Sequence, residues 1–159
     1  MLSLRDSIIK PEEMVERLKE IGQDSIAITD HGTSLGGVSI YKLLSDNNIK
    51  YIHGCEFYIC DDLKIKDKDN KYYHLVVLCK NETGRLNMNK LISLSNRPEN
   101  KYGKPRIDFE LLSQYGEGLI VLSACLAGEI SRCLMRDDKK SARNIALKYK
   151  ERFGDDYYL

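Results

Sequence analysis

The sequence predicts an α/β domain with a mostly parallel sheet. Short continuous apolar strings, such as residues 25–29 (SIAIT) and 118–123 (GLIVLS), read as strands buried on both faces. Segments with apolar residues at helical spacing separate them, which is the alternation of an α/β fold. The chain of 159 residues, 42% hydrophobic and 31% charged, suits one soluble globular domain with a core of its own.

The elements follow in order. Residues 11–22 read as a helix: Pro11 fits the first turn, Glu12 and Glu13 suit its positive end, and Gly22 stops it. Met14, Leu18 and Ile21 are its expected inner face. The strand at 25–29 runs into the polar turn Asp30-His31-Gly32. Residues 37–48 form a second expected helix, facing inward through Val38, Tyr41 and Leu43 or Leu44. Residues 51–60 and 72–79 are β-rich and flank an Asp/Lys-rich loop. A helix is expected over 82–95, with Leu86 and the 91–94 segment on its apolar face, and an irregular stretch over 96–105 with two prolines. Asp108 caps a short helix closed by Gly116. After the strand at 118–123 come helices over 128–136 and 138–153, the second striped with Ala142, Ile145, Ala146, Tyr149 and Phe153. Residues 157–159 begin one more strand.

Composition excludes several classes. A net charge of +1 commits the chain to no polyanion, and no apolar run approaches the roughly 20 residues of a membrane span. The charged first twenty residues are unlike a signal peptide. Five cysteines, an odd number set mostly in apolar strings, suit reduced thiols and a cytoplasmic location. A phosphate-cradling Gly-rich loop and a serine-histidine triad are both missing.

A few residues stand out as carriers of chemistry. His31 follows a strand directly, where parallel α/β architectures place active-site groups, and reads either as a metal ligand supported by Asp30 or as part of a capped turn. Glu56 lies in HGCEFYIC without a basic neighbour, which favours a bound cation over an ion pair; an edge position facing water is the plain alternative. If 51–60 and 72–79 form a hairpin, His74 faces Glu56 across it; a histidine satisfied at a strand edge is the plain alternative, and the favoured one on the local residues alone. Cys125, in SACLAG, sits two residues past a strand, and its thiolate is either a zinc ligand or a small hydrophobe. Asp6, in MLSLRDS, is alone no more than an N-cap. Together they make an Asp/His/Glu/His/Cys set suited to zinc or manganese. Cys55, Cys60, Cys79, Cys133 and His53 read as ordinary interior residues.

The strings SLRDS, AITDHG, IHGCEFYI, YYHLVVLCKNETGRLNMNKL, KPRIDFELL and EGLIVLSACLAGEI resemble the PHP (polymerase and histidinol phosphatase) domain of bacterial DNA polymerase III alpha subunits. That resemblance implies a distorted seven-stranded (β/α)7 barrel with up to three metals at one mouth. It carries ligand roles onto Asp6, His31, Glu56, His74 and Cys125. The family's His-x-His and Asp-x-His ligand pairs have no counterpart here, so the resemblance implies one partial PHP domain over 1–159, truncated at both ends, without polymerase palm, fingers or thumb. Family members with the full set resemble metal-dependent phosphoesterases, some acting as 3′–5′ exonucleases. The isolated chain is expected to bind metal weakly and to be a poor catalyst.

Two alternatives belong to other classes. One is a noncatalytic module that braces a polymerase and contacts DNA, other replisome subunits or a proofreading exonuclease. Arg97, Lys101, Lys104 and Arg106 against Glu99 give residues 96–106 a net +3 for such a contact, with a solvated loop as the equal alternative. The other is a stand-alone PHP phosphatase.

Overall fold

The computed structural model describes residues 9–68 and 72–159. Asp6 lies outside them. The elements run α1 (Pro11–Glu20), β1 (Ser25–Ile28), α2 (Gly37–Asp46), β2 (Lys50–Cys60), β3 (Tyr73–Cys79) and α3 (Glu82–Ser95). There follow β4 (Lys101–Tyr102), β5 (Lys104–Asp108), α4 (Phe109–Gln114), β6 (Leu119–Leu122), α5 (Glu129–Met135), α6 (Lys139–Phe153) and β7 (Tyr157–Tyr158). No helix among the described residues is long and apolar enough to cross a membrane.

The sheet is mixed and not mostly parallel. Its order is β4-β5-β2-β3-β6-β7, with β1 also on β2. β3 pairs antiparallel with both β2 and β6, where a parallel neighbour would need a crossover connection. β1–β2, β2–β5 and β6–β7 are parallel. β2 is the pivot. One of its edges is filled by β3; the other is taken first by β1 and then, from Tyr58 on, by β5.

The prolines of residues 96–105 do not prevent pairing. Lys101–Tyr102 and Lys104–Asp108 form a tight hairpin around Gly103, whose φ of 72° a side chain would resist. Pro105 stands opposite Lys101 on the short edge strand β4, and pairing with β2 starts one residue later.

Two apolar clusters hold the layers. One packs Phe57, Leu75, Val77, Met88, Leu91, Ile107 and Val121 with the aromatic end of α6. The other joins α1 and α2 to β1 through Val15, Leu18, Ile40 and Leu44. Three helix faces are rotated from expectation. Val15 replaces Ile21 inside α1, Ile40 replaces Val38 and Tyr41 in α2 while Leu44 is buried as expected, and Leu86 of α3 is exposed while Met88 is buried. In each case the period is right and the phase is set by the sheet beneath. The α6 stripe is as expected, with Ala142, Tyr149 and Phe153 buried.

Backbone contact fixes α3. A Cβ on Gly84 would lie 1.9 Å from the Gly118 carbonyl oxygen, and Lys80 N–H donates to that same oxygen. The Asn81 side chain accepts from Gly84 N–H and caps the helix. The N-terminus of α3 is thereby locked to the turn before β6, and β6 leads to Cys125.

Candidate metal centre

Four of the five sequence-derived ligands converge at the end of β1 and the middle of β2; the fifth, Asp6, is outside the described residues. His31 arrives through register. Ser25 to Ile28 pair with Lys50 to His53, and a further bridge joins His31 to Glu56 at the same offset along the chain. Glu56 N–H donates to the Asp30 carbonyl and Gly32 N–H to the Glu56 carbonyl, so β1 in effect continues through its polar end. Paired residues share a face, which puts His31 beside Glu56.

Glu56 and His74 meet diagonally. The register pairs Glu56 with Val76 and His74 with Tyr58, so the two are not directly opposite as the hairpin reading expected. Their separation is still bridged by long side chains, since diagonal neighbours on one face are about 7–8 Å apart at the backbone. His74 Nδ1 lies 3.1 Å from Glu56 Oε1, and His31 Nδ1 contacts Glu56 Oε2.

Cys125 arrives on a strained turn. Ala124 has φ 64°, a left-handed conformation costing a non-glycine residue about 1–2 kcal/mol. Ser123 N–H donates to the Tyr158 carbonyl, His74 N–H to the Ala127 carbonyl and Gly128 N–H to the Cys125 carbonyl. A Cβ on Gly128 would sit 2.2 Å from the Ser123 oxygen, so the turn closes only with glycine there. These contacts deliver Cys125 Sγ to 3.6 Å from His74 Nδ1, with Ala127 N–H donating to the sulfur.

One ligand atom from each of Glu56, His74 and Cys125 lies within 4.8 Å of the other two. At most one proton on His74 Nδ1 serves both the carboxylate and the sulfur. Glu56 Oε2 is buried and receives no hydrogen bond. Lone pairs crowded together with too few protons form a donor set that a cation satisfies, so the residues fit a metal. The remaining cysteines are chemically quiet. Burial pushes the Cys55 and Cys79 thiols up to about 12 and Cys60 to about 11, and raises Cys133 as well, whereas Cys125 is exposed.

Two sequence-derived roles change. Asp30 is buried, and its charge acts on Tyr51 and Cys55, residues on the face of β2 opposite Glu56. Its carboxylate therefore belongs to the layer behind the ligands, while its carbonyl carries the bridge to Glu56. Arg106 is fully buried, and its guanidinium donates to the carbonyls of Asn100, Leu63 and Ile65, so it is no surface contact for DNA. Arg97 and Lys101 are exposed, and Lys104 is half-buried.

An aromatic wall beside the ligands was not anticipated. The Tyr58 ring centroid is 5.5 Å from that of His74 and 4.9 Å from that of Tyr72, and the ring stacks on His31. Tyr58 stands two residues from Glu56 on β2 and Tyr72 two residues before His74, just ahead of β3, and this spacing was the signal that pointed to them. Gly32 is needed against this wall: its φ is 63°, and a Cβ would come within 3.1 Å of Pro105 and 3.3 Å of Tyr58.

The fold and these side chains define an α/β domain with a Glu/His/Cys group whose donor atoms could hold a metal ion. The PHP domain family matches residues 1–159, and the chain belongs to that family. It is 41% identical to DNA polymerase III subunit alpha of Treponema pallidum over 161 residues, and 42% identical to that of Aquifex aeolicus over 166 residues. Each match covers 99% of this chain and 14% of the relative, so the chain spans about one-seventh of the length of these proteins. Among solved structures, an amidohydrolase from Chromobacterium violaceum is similar at a TM-score of 0.47 and 14% identity, over 92% of this chain and 79% of that one.

Proposed function

We propose that the chain forms the core of a PHP-type phosphoesterase centre acting on phosphodiesters within a polymerase III alpha-type protein. The convergence of Glu56, His74 and Cys125, with a buried Glu56 oxygen that lies against His31 without forming a hydrogen bond, carries this reading. His31, Glu56, His74 and Cys125 would hold zinc or manganese, with Asp6 completing the set: thiolate and imidazole favour zinc, carboxylate suits manganese. A cation there supplies Lewis-acid polarisation of a phosphoryl group. The protein's own part is to fix the donors. β2 presents Glu56 between two imidazoles, the strained turn aims the thiolate, and the Tyr58–Tyr72 wall shields one side of the centre.

Metal titration of the purified chain, followed by elemental analysis, tests this directly. Stoichiometric zinc or manganese that falls in His31→Ala and Glu56→Gln supports the site, and unchanged content in both variants removes it. Hydrolysis of a single-stranded oligonucleotide from its 3′ end by the full polymerase chain, abolished by the same substitutions, tests the activity.

A second reading rests on two exposed cations, Arg97 just past α3 and Lys101 on β4. There the domain contributes a DNA contact in the replisome without catalysis, as a brace for the polymerase or its proofreading partner. Salt-dependent DNA binding that survives loss of the metal ligands favours it.

A further inference from the structure

We propose that Lys104 positions the phosphate of the substrate at the metal centre, with the Tyr58 ring as its platform. The inference rests on the phosphoesterase reading above and adds a residue and a role to it.

Lys104 opens β5 immediately after the Gly103 turn. Because Tyr58 pairs with Arg106, Lys104 lies two residues back along β5 and on the same face as Tyr58. Its Nζ sits 5.2 Å from the centre of the Tyr58 ring, a cation–π distance. The same ring stacks on His31 and meets His74 edge-on. One aromatic ring therefore separates the ammonium from two imidazole ligands.

Three features make Lys104 a seat for an anion. It is half-buried, so part of its hydration is already lost. No carboxylate among the described residues pairs with it, whereas Arg97 has Glu99 at 3.9 Å and Arg106 has its ring of carbonyls. Lys104 also brings positive charge to an anionic centre: the proposed ligands Asp6, Glu56 and Cys125 carry up to three negative charges, so a phosphodiester there calls for a further compensating positive charge. A lysine ammonium is a point charge that needs no fixed hydrogen-bond geometry to supply it.

The test is calorimetric titration of the manganese-loaded chain with a thymidylyl dinucleotide and, separately, with inorganic phosphate, for wild type, Lys104→Met and Lys104→Arg. Metal content is measured in each sample. We expect Lys104→Met to weaken dinucleotide binding at least tenfold at unchanged metal content, and Lys104→Arg to recover most of the loss. Steady-state diester hydrolysis should show the same defect chiefly in KM. If Lys104→Met binds as tightly as wild type, or if arginine rescues nothing, the assignment is wrong. If the dinucleotide is not bound at all and only inorganic phosphate depends on Lys104, the substrate is a small phosphate and the diester form of the proposal fails. If the wild-type chain holds no metal, the phosphoesterase reading itself is lost, and this inference with it.

Discussion

His74 Nδ1 stands 3.1 Å from one oxygen of Glu56 and 3.6 Å from the sulfur of Cys125, although these residues lie on two strands and a loop. Two acceptors compete for one imidazole nitrogen, and a bound cation removes the competition. Substitution of either partner should therefore weaken metal more than fold. Cys125→Ser and His74→Ala are each expected to lower zinc affinity tenfold or more, about 1.4 kcal/mol, with little change in the urea midpoint of the metal-free chain. Competition titration with a chromophoric chelator measures the first quantity, and urea unfolding the second. Equal affinity in both variants would place the metal elsewhere.

Arg106 and Lys101 should separate structure from surface. Arg106→Met strands three carbonyls that the guanidinium satisfies from within the core, and it unties the 61–68 loop from β5. Breaking such a buried charged network costs about 3–5 kcal/mol. Lys101→Gln with Arg97→Gln removes two exposed charges and should leave stability within about 0.5 kcal/mol. It should also flatten the salt dependence of DNA binding, if DNA is bound there. Thermal unfolding and binding at two ionic strengths distinguish the pairs, and a stable Arg106→Met would refute the structural role.

Ala124 stores strain at the metal turn. Ala124→Gly relieves the left-handed penalty but adds freedom to the unfolded chain, so a net gain of about 0.5–1 kcal/mol is expected. Gly84→Ala is the converse. Its methyl group would collide with the Gly118 carbonyl, and a loss of about 3 kcal/mol is expected. Urea denaturation of the two variants should move the midpoint in opposite directions.

Glu129 gives the stability a pH dependence. Burial raises its pKa, partly offset by the hydrogen bond it accepts from Tyr149 Oη at 2.6 Å. The folded state then holds a proton on Glu129 at pH values where the unfolded chain has released it. This contribution is fully present below the unfolded carboxyl pKa, about 4.3, and is lost as pH rises through the folded value. Glu129→Gln keeps an acceptor for Tyr149 and should reduce the fall in unfolding free energy between pH about 4 and 7. An identical pH profile in wild type and variant would exclude Glu129 as its source.

What the sequence determined by itself was the order of the elements, the β4–β5 hairpin excepted, and the residue types proposed as ligands. The helix at 82–95 and the Asp108 cap depend on chain-local signals, namely apolar spacing and a side-chain oxygen at a helix start. The ligand types were legible because a lone carboxylate or imidazole in an apolar string requires a partner. Tertiary structure decided the rest. The direction of β3, the two-residue diagonal between Glu56 and His74, the phase of α1 and α2, and the burial of Arg106 all depend on which strand lies alongside β2. A strand's own residues do not specify that neighbour, because every backbone offers the same hydrogen bonds. Only the competition of whole layers for the core selects it.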